Sequence, residues 1–286
     1  MLLNKPLLLG LAAAAAVAAE EAPPPAPGGA CGFTTEPVEK DIGQGFRTWV
    51  WTEPYREELF ADGLLLDDAA FEEYTKWLNK TIPRDFGGLD PFNQTACLIH
   101  QRGIFAGAGF GTHDWDVILN GSVGAISAAN CLESALWAKQ NEYHPQKLSA
   151  TEFGAYILLD SANTTVKVYL QTGPELGVPG MEWVDKPIAA DLAAGFKLAT
   201  FLHLHPFDAS NTKYQDCAGT CIPSGPDLHA FASDLKEFSA ESAWITNGQD
   251  SFRFPLTELG MFNGDNDGSA LGQQVARPEI YRGEQA

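Results

Sequence analysis

The stretch Phe196-Lys-Leu-Ala-Thr-Phe-Leu-His-Leu-His-Pro206 is an apolar strand that ends in two histidines and a proline. Side chains alternate across a strand, so His203 and His205 share one face while Leu204 takes the other. Two imidazoles on one face can share a metal ion. Pro206 has no amide to continue a ladder, which places the pair at a strand end, where pockets form. Downstream, Ser224-Gly-Pro-Asp227 sets a carboxylate in the first turn of a helix. A Ser-x-x-Asp capping box ahead of Leu228, Phe231, Leu235 and Phe238 predicts that helix to run to about Phe238, and it needs the same Ser224 and Asp227 for helix stability alone. Two histidines and one carboxylate are the protein ligands of a catalytic zinc site whose fourth position stays open. Such a site brings the pKa of a water to roughly 7, and a nearby carboxylate must then move its proton to the leaving group. Glu152, immediately before an apolar strand, is the candidate.

That strand, Phe153 to Asp160, turns at Ser161-Ala-Asn-Thr and returns through Val166 to Leu170, a hairpin by alternation and turn chemistry. A second hairpin pairs Ala243–Thr246 with Ser251–Phe254 around Asn247-Gly-Gln-Asp. Ser127 to Asn141 predicts a helix with Ile126, Cys131, Leu132, Ala135 and Leu136 on a common side, and Ala189 to Ala194 another. Towards the N-terminus, Leu59, Leu64, Leu66, Phe71, Tyr74, Trp77 and Leu78 predict one or two helices between Thr52 and Thr81, opened by Glu53-Pro54. Pro83 to Gly124, rich in glycine and aromatics, has no clear period and reads as loops with short strands. The expectation is an α/β chain with a mixed sheet flanked by helices, preceded by a helical and loop-rich N-terminal region.

The ordered set Glu152-Phe-Gly154, His203-Leu-His205-Pro206 and Ser224-Gly-Pro-Asp227 resembles the JAMM or MPN-type zinc metallopeptidases, also called the JAB domain. The resemblance covers residues 127 to 255. It implies that His203, His205 and Asp227 bind one Zn2+ per chain, that Glu152 is the general base and acid, and that Ser224 helps hold the oxyanion. It implies a peptidase or isopeptidase acting on a peptide or protein substrate. Two related outcomes follow from the same likeness, an inactive MPN-like binding module and a secreted JAB-like effector or toxin domain. The gap between H-x-H-P and S-x-x-D is about twice the family's, so Asp208 to Ile222 reads as an inserted loop at the rim, closed by Cys217 and Cys221.

Residues 1–19 have the n-region, short apolar run and small residues of a signal peptide, and the run falls short of the roughly 20 residues a spanning helix needs. Residues 20–30 form a proline-rich spacer, 31–126 a region without assigned role, and 256–286 a polar tail. Export to a periplasmic or extracellular space makes the cysteines disulfide material. Cys217 with Cys221 closes one loop and Cys97 with Cys131 is the natural second pair. Cys31 is left over, to be free, to join another chain or to displace a partner. A net charge of −19 excludes a phosphate-gripping nucleic-acid surface. Weaker sites are His113-Asp-Trp-Asp116, the glycines from Gly107 to Gly111, and the start of a calcium loop at Asn263, which has Gln274 where a bidentate glutamate belongs.

Overall fold

The computed structural model describes residues 31–81, 93–107, 109, 111–146, 150–174, 183–207, 219–235 and 238–263. The architecture grows from the predicted first hairpin, β4 (Phe153–Asp160) and β5 (Thr165–Thr172), which pair antiparallel with Tyr156 opposite Tyr169. Asp160 accepts the Thr164 and Thr165 amides and so closes the turn, while Asn163 takes a left-handed conformation. On the far side of β4 lies β6 (Phe196–Leu204), antiparallel, with Gly154 opposite His203. Among the described residues the one parallel pair joins β6 to β7 (Ser242–Thr246), and β8 (Asp250–Pro255) returns beside β7 as the second predicted hairpin.

The remaining strands come from the N-terminal region. β2 (Phe46–Pro54) pairs with the outer side of β5 along eight positions, β1 (Val38–Gly43) pairs with β2, and β3 (Ala125–Ala128) closes the opposite edge beside β8. The order β1-β2-β5-β4-β6-β7-β8-β3 is one mixed eight-stranded sheet. Helices cover both faces, which is why the central strands are apolar on both sides. On one face, α1 (Ala69–Thr81) and α4 (Cys131–Tyr143) bring Phe71, Tyr74, Leu78, Leu136 and Trp137 onto Trp49, Ile157, Val168 and Leu202. The other face holds Tyr156, Phe201, Ile245 and Phe254. It is covered by α2 (Gln94–Gly107), α3 (His113–Leu119), α5 (Asp185–Ala193), α6 (Gly225–Ala230) and the π-helical turn Phe231–Leu235.

Several expectations give way. No helix opens at Glu53-Pro54: β2 runs through both residues because β5 offers a complete ladder, a single 3-10 turn follows at Glu57–Leu59, and the α-helix starts only at Ala69, where Asp68 accepts the Ala70 and Phe71 amides. Residues 94–107 and 113–119 are helices rather than loops. Gly103 and Gly107 lower helix propensity in α2, and packing against the sheet supplies what local preference lacks. Ile126 belongs to β3, and the following helix is capped instead by Asn130, which forms a capping box with Glu133. The helix after Ser224 keeps α-helical form only to Ala230.

The cysteine pairing is also corrected. Cys131 is bonded to Cys31, with 5.3 Å between their Cα atoms. Cys97 cannot reach Cys131, since α2 packs on one face of the sheet and α4 on the other. Cys97 lies instead within electrostatic reach of Cys221. Cys221 is a buried free thiol whose Sγ donates to the Asp250 carbonyl at 3.2 Å; Cys217, the partner expected for it, lies outside the described residues. Burial pushes the Cys221 thiol pKa well above its usual value.

The signal peptide, the spacer and the calcium-like segment beyond Asn263 also lie outside the described residues. Among the described residues no helix is long and apolar enough to cross a membrane, and the disulfide is compatible with an exported protein.

The Cys31–Cys131 bond spans 100 residues of chain. A loop of that length corresponds to about 4.7 kcal/mol in the chain-entropy account, and losing a native bond typically costs about 2–5 kcal/mol. Cys31→Ser is therefore expected to lower the unfolding free energy by about that much in denaturant titration. Non-reducing peptide mapping should recover the 31–131 cross-link in wild type and in Cys97→Ser alike; a 97–131 cross-link would overturn this pairing.

Candidate metal centre

Strand parity puts His203 and His205 on the face that α6 covers. The His205 amide donates to the Thr246 carbonyl at 2.8 Å, which extends the parallel ladder one residue past β6, and Pro206 then ends it. The imidazole rings stand 4.7 Å apart and nearly perpendicular, at 85°. Asp227 arrives from the first turn of α6, where Pro226 sits near the helix start and Ser224 is the cap. Its Oδ2 accepts from the Ser224 amide and hydroxyl, both at 2.7 Å, and lies 3.2 Å from His205 Nε2. Its Oδ1 lies 3.5 Å from His203 Nε2. Because β4 runs antiparallel to β6, the start of β4 meets the end of β6, and Glu152 Oε2 comes to 3.9 Å from His203 Nε2.

His203, His205 and Asp227 each offer one ligand atom, and all three atoms lie within 4.8 Å of one another. They are the metal-competent group among the described residues. The donor chemistry fits a zinc ion: two imidazole nitrogens and one carboxylate oxygen are a ligand set that zinc takes in catalytic sites, and the three converge from two elements on one pocket. The orientation of His205 fits as well. Nδ1 donates to the Thr220 carbonyl at 2.9 Å, so Nε2 is the nitrogen that offers a lone pair once its proton is displaced.

Charge in the pocket follows from burial and contact. Burial opposes a proton on His205, yet the hydrogen bond and charge of Asp227, with Glu152 and the Thr220 carbonyl, outweigh it and raise the pKa to about 9. His203 goes the other way: burial holds it below the usual imidazole range despite the attraction of Asp227. Burial also opposes ionisation of Asp227, but the two imidazoles and Ser224 keep its carboxyl well below the usual carboxylate range.

Ser224 is beside the group, with its hydroxyl proton given to Asp227 Oδ2. In this arrangement it orients a ligand, and it must release that bond before it can donate to an oxyanion. His229 stands outside the group. His113 and Asp116 form no metal site: His113 Nε2 lies 3.0 Å from the Met261 carbonyl and Asp116 is paired with Arg102 at 2.5 Å.

Two supports were not legible beforehand. Thr151, which precedes Glu152, is clamped by buried glutamines: Gln140 and Gln146 both donate to its carbonyl and its hydroxyl, and Gln146 accepts its amide. The Gly219–Cys221 segment, which supplies the Thr220 carbonyl, is held by Gln94 and Asn247 on its backbone and by Gln101 on the Thr220 hydroxyl. At Gly219 the backbone is left-handed, at φ 74°, and an added Cβ would stand 2.8 Å from the Phe207 ring, so only glycine suits the position.

Comparison with family models, with curated proteins and with solved structures returns no match. The meaning of the site rests on its own geometry.

With His205 charged, His203 neutral and Asp227 ionised near neutrality, a metal ion must displace one proton, from His205. Calorimetric titration of zinc into metal-free protein at pH 7.5, in buffers of different ionisation enthalpy, should show release of about one proton per ion. Affinity should rise about tenfold per pH unit up to about pH 9 and then level off. Heats independent of the buffer would contradict this charge state.

Proposed function

We propose that the protein is an exported zinc-dependent peptidase or isopeptidase with an MPN-like core around β4 to β8. The single observation that carries this reading is the convergence of His203, His205 and Asp227 within 4.8 Å, with the Glu152 carboxylate 3.9 Å from His203. When bound, zinc supplies Lewis-acid chemistry and an acidified water at neutral pH. The chain's own residues do the rest. His203 and His205 hold fixed positions through the β6 ladder, and Asp227 through its cap, so the ligands need little rearrangement. Glu152 Oε2 is placed to take a proton from the attacking water and return it to the departing nitrogen, after which the carboxylate is restored. An extended peptide or protein tail is the substrate class in keeping with a site at a strand end.

A second reading, a metal-holding interaction module without turnover, is favoured by the bond that Ser224 makes to Asp227, since a hydroxyl committed to a ligand is not presented to substrate.

The discriminating residue is Glu152. A positioned carboxylate contributes roughly 10²- to 10⁴-fold to such a proton transfer. Glu152→Gln should retain stoichiometric zinc by metal analysis while losing activity by that factor on a peptide library the wild type cleaves. His203→Ala and Asp227→Ala should lose the metal itself. Zinc-loaded wild type that cleaves nothing in a broad library would favour the interaction module. A wild type that purifies and dialyses metal-free would end both readings.

A further inference from the structure

The carbonyl that sets the His205 tautomer belongs to a short segment, Gly219–Cys221, that makes no strand or helix of its own. Its placement depends on side chains from elsewhere. Gln101, fully buried in α2, donates from Nε2 to the Thr220 hydroxyl at 2.9 Å, and its Oε1 lies 3.5 Å from the Trp115 indole nitrogen of α3. Gln94, buried at the start of α2, accepts the Cys221 amide at 2.9 Å. Asn247 of the β7–β8 turn donates to the Gly219 carbonyl at 2.8 Å. Three consecutive residues are thus fixed by buried amide side chains, two of them more than 100 positions away in sequence. Gln94 and Asn247 bond the backbone directly and Gln101 bonds the Thr220 hydroxyl; a slide of the segment would break these buried bonds, so the clamp has one register.

We propose that Gln94 and Gln101 are positioning residues for the metal ligand His205: by holding the Cys221 amide and the Thr220 hydroxyl they keep the Thr220 carbonyl on Nδ1 and Nε2 turned towards Asp227. The inference rests on the zinc reading above and gives the N-terminal region a part in the site. Removing an outer partner of a ligating histidine typically lowers metal affinity 10- to 100-fold. The pair Gln140 and Gln146 supplies an internal control, because these glutamines are likewise buried and hydrogen-bonded but hold Thr151, which supplies no metal ligand.

The test is zinc affinity, measured by competition with a chromophoric chelator, together with the thermal midpoint of the metal-free protein and the visible spectrum of the Co2+-loaded protein. Gln101→Met and Gln94→Met should each weaken zinc binding about 10-fold or more and alter the Co2+ bands. Gln140→Met should lower the thermal midpoint by a similar amount yet keep zinc affinity within about twofold of wild type. If Gln101→Met fails to fold, Gln94→Met carries the same comparison. Affinities of the α2 variants that move no further than that of Gln140→Met overturn the positioning role while leaving the zinc site standing. A wild type without zinc affinity overturns both.

Discussion

A largely desolvated carboxylate between two imidazoles is the constraint around which the site is arranged. Asp227 cannot leave water uncompensated, because an isolated charge in a protein interior is expensive and breaking one side of a buried pair leaves the other exposed to the same penalty. Its compensation comes from three parts of the chain at once: His203 and His205 at the end of β6, the Ser224 cap, and the first turn of α6, whose amides favour negative charge. Those contacts tie the end of β6 to the start of α6. They fix where the crossover to the parallel strand β7 must pass.

The sheet explains why Glu152 joins them. A residue at the beginning of β4 and one at the end of β6 are far apart in sequence, yet antiparallel pairing with Gly154 opposite His203 sets them side by side. The site therefore lies where the carboxyl end of the parallel pair β6 and β7 meets the amino end of β4, the kind of place where open α/β sheets leave a crevice. Both faces of the sheet are packed with aromatic and aliphatic side chains, and the candidate ligands sit at the strand ends beyond them.

The N-terminal region is built into the same body. The buried Glu53 of β2 accepts from the Thr34 and Thr35 amides and hydroxyls, and the Cys31–Cys131 bond fixes the segment just ahead to the start of α4. The same helix carries Gln140, which reaches the residue before Glu152. On the opposite face α2 reaches the segment that orients His205. Each half of the candidate centre is thus steadied from one face of the sheet.

By itself the sequence determined what local chemistry controls. Alternation put His203 and His205 on one face, the Ser224 and Asp227 box marked a helix start, and turn residues at Asn163 and Asn247 marked two hairpins; each of these signals is complete within a few residues. It also made Asp227 and Glu152 candidates, by residue type and order. What it could not contain was set by pairing across long separations. β2 became a strand because β5 offered it a ladder, α2 became a helix because the sheet gave its apolar side a surface, and Cys131 took Cys31 because the sheet stands between it and Cys97. The glutamine clamps belong to the same class: Gln101 and Thr220 are 119 residues apart. A glutamine has no periodic signature that announces a buried role. Only the packed tertiary structure, which desolvates the amide and so rewards a partner, decides which group it holds.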